Sequence, residues 1–181
     1  MGRQPQPDIR ARLLDTCVDH ALTHGLPDRL APFATATGTS ARMLIYHFGT
    51  RDALVREVLA AARQRQFRRF GELLRVRRGE HYTDTLRRAW TSISGTDGRP
   101  YLRMFGEPRS SAVHELWPDF RRAATLDWLG PLEEGLRTIG LPERATLVLA
   151  VIRGLLMDVE ATGDTARTDR AFDEFLTSMD V

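Results

Sequence analysis

Leu30-Ala31-Pro32-Phe33-Ala34, Gly38-Thr39-Ser40-Ala41-Arg42-Met43-Leu44 and Tyr46-His47-Phe48-Gly49-Thr50-Arg51-Asp52-Ala53-Leu54 are the segments that decide the fold. Pro32 is tolerated in a helix only in its first turn, so a short helix is predicted from about Leu30 to Ala36, with Asp28 as its cap. Gly38 can take the positive φ of a tight turn. Thr39 or Ser40 then caps a second short helix, from Ser40 to about Tyr46, and Thr50 caps a long one from Arg51 to about Val76. Ala34 is small where the two short helices should cross, and Phe33, Leu44 and Phe48 are the expected core wedges. Two short helices joined by a glycine turn are what a helix-turn-helix requires. The first braces, and the second presents its N-terminal residues to base edges in the major groove.

Upstream, Leu13, Leu14, Cys17, Val18, Ala21 and Leu22 recur at helical spacing and predict a first helix from Asp8 to Thr23, ended by Gly25. The lone Cys17 lies in that stripe and reads as a small buried hydrophobe rather than a redox sensor. Downstream, Gly, Pro and Asp separate further helical segments at Thr83–Ser94, Pro100–Phe105, Pro118–Ile139, Pro142–Ala161 and Ala166–Met179. Strand alternation is essentially absent. The fold class is therefore all-α, with about nine helices: a helix-turn-helix DNA-binding unit over residues 1–52 and a second helical unit over 53–181.

The 181 residues carry a net charge of only +2, unevenly placed. Every basic residue is an arginine; residues 1–78 hold 14 of them against seven acids (+7), and residues 79–181 hold 12 against 17 (−5). A basic front half on a near-neutral chain points to a polyanion partner at one end. The run Arg63, Arg65, Arg68, Arg69, Arg75, Arg77, Arg78 is a solvated face or a direct DNA contact. Arg3, Arg10 and Arg12 are candidates for an arm reaching a minor groove, or for a solvated tail. No run approaches the ~18 apolar residues of a membrane span. The N-terminal residues lack the apolar stretch of a signal peptide, so a cytoplasmic location and no membrane partner are expected.

The ordered set Ala34, Gly38-Thr39-Ser40, Tyr46-His47-Phe48 and Thr50-Arg51-Asp52-Ala53-Leu54, some 50 residues from the N-terminus, resembles the signature of the tetracycline-repressor family of bacterial regulators. The specific likeness covers about residues 10–60; beyond that it is one of architecture. Arg51 stands where the family usually has lysine, and Pro32 is unusual in the bracing helix.

Chemistry and resemblance together assign expected roles. Thr39 and Ser40, at the recognition-helix N-terminus, suit a phosphate oxygen. Arg42 is the expected base reader, since arginine to guanine O6/N7 is the commonest specific contact. Ala41 and Met43 offer apolar contact to a thymine methyl. Tyr46, His47, Thr50 and Arg51 are expected phosphate contacts, with core packing the alternative for Tyr46 and His47.

The resemblance also implies a C-terminal unit that binds a small effector and pairs two protomers. Trp90, Tyr101, Met104, Phe105, His114, Trp117, Trp128 and Met157 can line an apolar pocket or be ordinary core, with His114 or Arg103 anchoring a polar group. The apolar segment Pro142–Ala161 and the last helix supply the expected dimer residues Leu147, Val151, Gly154, Leu155, Phe172, Phe175, Leu176 and Met179. A twofold dimer would read a palindrome with half-sites ~34–36 Å apart.

An enzyme is not expected. His20, His24, His47, His81 and His114 show no metal-ligand spacing, and there is no Gly-rich phosphate loop, no GxSxG and no partnered cysteine nucleophile. No cofactor is expected. The readings to weigh are a repressor released from a palindromic operator by a largely hydrophobic effector, an activator, and a helical ligand- or protein-binding module that has lost specific DNA binding.

Overall fold

The computed structural model describes residues 6–105 and 120–179. His114, Trp117 and Arg3 lie outside the described residues. Among those described there are nine α-helices and no strand: α1 (Gln6–His24), α2 (Ala31–Thr37), α3 (Ala41–Phe48), α4 (Arg51–Gly71), α5 (Tyr82–Ser94), α6 (Arg99–Phe105), α7 (Phe120–Arg137), α8 (Ala145–Thr162) and α9 (Thr165–Thr177). Two 3-10 turns, Glu72–Leu74 and Pro142–Arg144, follow α4 and precede α8. The predicted long helix thus ends at Gly71 rather than near Val76, because the chain tightens into the first of these turns. No helix among the described residues is long and apolar enough to cross a membrane.

These residues form two compact units. One runs to Arg65 and includes Arg103–Phe105; the other takes Gln66–Leu102 and the described residues beyond 119. The switch falls inside α4, so that helix belongs to both.

In the first unit α1, α2, α3 and the front of α4 enclose a core of Cys17, Val18, Ala21, Phe33, Leu44, Phe48, Leu54, Val58, Leu59 and Ala62. Burying each large member stabilises the unit by about 1.5–3 kcal/mol. Cys17 is fully enclosed, and burial pushes its thiol up to about 11. The expected wedges Phe33, Leu44 and Phe48 are all in place.

In the second unit Tyr82, Leu86, Ala89, Trp90, Leu132, Leu136, Val148, Ile152, Phe172 and Leu176 share one core. Its tightest contact explains a glycine in mid-helix. A Cβ on Gly135 of α7 would sit 1.8 Å from Cζ of Tyr82, so only glycine lets that ring lie against the helix. The Tyr82 hydroxyl donates to the Leu74 carbonyl at 3.0 Å, which satisfies a buried polar group. Helix α7 continues through Pro131.

Several residues expected at a pocket or a dimer interface can now be placed. Trp90 is core: its ring stacks on Phe172 at 4.8 Å and its Nε1 donates to Asp169 at 2.6 Å. Tyr101 is buried edge-on to Phe70. Met157, expected in a pocket, is 63% exposed. Phe172, Leu176 and Met179, expected at a dimer interface, are buried inside their own unit and have no surface to offer a partner.

Candidate nucleic-acid interface

The turn between α2 and α3 is built by backbone geometry. Gly38 has φ +64°, and its N–H donates to Thr35 O at 3.2 Å while the Thr39 N–H donates to Ala34 O at 3.0 Å. These paired bonds are the Schellman closure of a helix, and a left-handed residue makes them possible. Asp28 plays no capping part: α2 starts after Leu30 without a side-chain cap.

Ser40 opens α3 in extended conformation, its Oγ accepting from the Met43 N–H at 3.2 Å. Thr50 does the same for α4, its Oγ1 accepting from the Ala53 N–H at 3.0 Å. In both, the hydroxyl accepts, so its own hydrogen stays available to donate to a phosphate oxygen. The two hydroxyls therefore bracket α3 with potential phosphate donors.

Helix α3 divides sharply. Leu44 and Phe48, four apart, are buried. Arg42, Met43, Ile45 and Tyr46 form the opposite, exposed arc, with Tyr46 64% exposed and Met43 41%, and Ala41 is exposed in the first turn. Among the described residues nothing pairs with Arg42. Its guanidinium thus keeps the full set of donors that a guanine edge accepts. Tyr46 is no core residue; its ring stands edge-on to His47 at 5.1 Å. His47 is half-buried.

Ile45 was not singled out from the sequence. Its signal was present, because positions 42, 45 and 46 share the face opposite Leu44 and Phe48.

Arg51 is more engaged than expected. It donates to Pro27 O at 3.3 Å and pairs with Asp52 at 3.1 Å, while its buried Nε has no partner. A phosphate would have to compete for, or share, this guanidinium. Arg10 and Arg12 belong to α1 rather than to a flexible arm. Arg10 packs its Cζ 4.7 Å over the Phe48 ring and pairs with Glu57. The basic run along α4 is partly spent within the protein: Arg65 pairs with Asp15 and Asp19, Arg69 with Asp97, and Arg75 with Glu72.

In the second unit, Trp128 is half-buried 5.1 Å from Phe67. Met104 and Phe105 belong to the first unit, where Met104 is buried and Phe105 half-buried. On α8 the residues Leu147, Ala150, Gly154 and Met157 are exposed, and Val151 and Leu155 are half-buried beside them. A Cβ on Gly154 would meet nothing within 4 Å. Phe175 of α9 is half-buried, 6.1 Å from Phe172. Among the described residues no group of three or more His, Cys, Asp or Glu could hold a metal ion.

The helical order matches solved structures over nearly the whole chain. A transcriptional regulator from Rhodococcus sp. Rha1 aligns with a TM-score of 0.71 at 22% identity, covering 94% of this chain and 95% of its own. This is the tetracycline-repressor fold. Salmonella enterica GusR shares the fold at TM-score 0.63 and 16% identity, over 98% and 97% of the two chains. The multidrug binding protein EbrR, solved with imidazole, shares it at 0.65 and 21%, over 99% and 93%. No protein-family model matches the sequence, and no curated protein does.

Proposed function

We propose that the protein is a transcription regulator that reads a palindromic operator as a homodimer and leaves it on binding a small, largely hydrophobic effector. The observation that carries this reading is the outer arc of α3. An unpaired Arg42 stands with Met43, Ile45 and Tyr46 on a helix whose inner face is locked by Leu44 and Phe48. The hydroxyls of Ser40 and Thr50 lie at either end. Apolar residues and a free arginine exposed together on a short rigid helix suit thymine methyls and a guanine edge.

The outer stripe of α8 (Leu147, Ala150, Val151, Gly154, Met157) supports the dimer. It is apolar and uncovered in the protomer, and Gly154 would let a second helix approach closely. The apolar interior of the second unit and the likeness to a multidrug binding protein support a hydrophobic effector. Helix α4, common to both units, would carry the signal, and the shift cannot exceed the effector's differential affinity for the two states.

The test is selection of duplexes from a random-sequence library with the purified protein, then binding at two or more salt concentrations. Enrichment of a palindrome with half-sites ~34–36 Å apart and a steep salt dependence support the reading. Equal, weak binding to every sequence would overturn it.

A further inference from the structure

Helix α3 is eight residues long, and its terminal carbonyls have no partner within the helix. Gly49 N–H closes on Ile45 O and Thr50 N–H on Phe48 O. The His47 carbonyl is satisfied from a different helix: Nε of Arg10, on α1, donates to it at 3.0 Å. The same guanidinium lies 4.7 Å over the Phe48 ring and sends its NH2 to Glu57 Oε1, on α4. One planar cation therefore meets the C-terminal end of the recognition helix and the second turn of the helix after it.

We infer that Arg10 is the positioning residue of the reader, holding α3 in register with α4 through the His47 carbonyl and Glu57. The inference rests on the DNA-reading role of α3. The ion pair is half-exposed, with side chains 42% and 34% accessible, so it adds little to global stability. Its effect is geometric. A guanidinium projects its donors in fixed directions and can serve two acceptors on two elements while stacking on a ring; an ammonium cannot reproduce that fork. A cation at this end also complements the negative pole of the α3 dipole. Any displacement of α4 that carries Glu57 must either draw Arg10 and the end of α3 with it or break the clasp. Arg10 thus acts on DNA through α3 and touches no phosphate itself.

The experiment uses the full-length protein and its Arg10→Gln, Arg10→Lys and Glu57→Gln variants, with two readouts. The first is amide hydrogen exchange over residues 44–50. Loss of a charge-assisted bond to the helix end is expected to speed exchange there about tenfold in Arg10→Gln and, because lysine cannot hold the fork, several-fold in Arg10→Lys, while residues 31–37 stay unchanged. The second is binding to the duplex selected by the wild type and to a random duplex of equal length. The selected duplex is expected to bind Arg10→Gln about tenfold more weakly, with the random duplex and the salt slope unaltered.

Unchanged exchange in both Arg10 variants would overturn the inference. So would a salt slope reduced by about one, because Arg10 would then be a phosphate contact. If Arg10→Gln does not fold, Arg10→Lys and Glu57→Gln carry the same comparison. If the wild type selects no sequence, the regulator reading fails, and exchange over residues 44–50 still decides the clasp.

Discussion

Helices α3 and α8 each bury one face and leave another bare, yet the bare faces are chemically opposite. The outer arc of α3 mixes a free arginine, a tyrosine and two apolar side chains between two capping hydroxyls. That of α8 is aliphatic, interrupted by a glycine. A mixed face is stable in water and presents donors; an aliphatic stripe is the kind of surface that protein cores and homodimers cover. The difference teaches that an inward face reports how a helix is held, and only the outward face reports what it meets.

Substitutions on the two inner faces should look alike. Leu44→Ala in α3 and Leu149→Ala in α8 are each expected to cost about 2–5 kcal/mol of stability, read from denaturant melts. A loss well under that range at either site would mean the face is not sealed. Outer-face substitutions should separate the helices. Leu147→Arg puts a charge on the α8 stripe and should weaken self-association by on the order of 3 kcal/mol, about a hundredfold in dissociation constant. Sedimentation would show this, with the helical signal intact. An unchanged association state would remove α8 from the interface.

Arg42→Ala should leave melting unchanged and cost about 1–3 kcal/mol of operator binding, relaxing preference at one base position. Retained preference would shift the reading role to Met43, Ile45 or Tyr46. The smallest effect belongs to His20 of α1, whose ring lies edge-on to Phe33. Burial, and then its neighbour His24, lower its pKa. The unfolded chain therefore binds more protons, so stability should fall as pH drops through the ordinary histidine value near 6.5 and rise above it. His20→Gln should flatten that slope in melts between pH 7.5 and 5.5; an identical slope would assign it to other groups.

The same contrast explains what could be read from the chain before its structure. The α2–α3 turn and its flanking helices are written in local chemistry: Gly38 must turn, Ser40 and Thr50 must cap, and Leu44 and Phe48 must point inward at four-residue spacing. Such features depend on neighbours within a few positions, so the sequence displays them. Arg10 was misjudged because its partners, His47 and Glu57, lie 37 and 47 residues away. Trp90, Phe172, Leu176 and Met179 were open to more than one reading for a related reason. An aromatic or aliphatic stripe looks the same whether it lines a pocket, a partner or the protein's own core, and only the packing of α5 against α8 and α9 decides. Gly135 shows the limit most plainly, because its reason for being glycine is a tyrosine ring 53 positions earlier.

The enclosed thiol of Cys17 has a practical consequence. With burial holding it near 11, only about one molecule in a thousand carries a thiolate at pH 8, and even that sulfur is shut inside the first unit. Alkylation must wait for the unit to open, so the rate of pulsed labelling becomes a clock for its breathing. It needs no engineered probe, since the sequence holds no other cysteine. Timed with and without duplex DNA, that clock would report whether DNA holds the first unit shut.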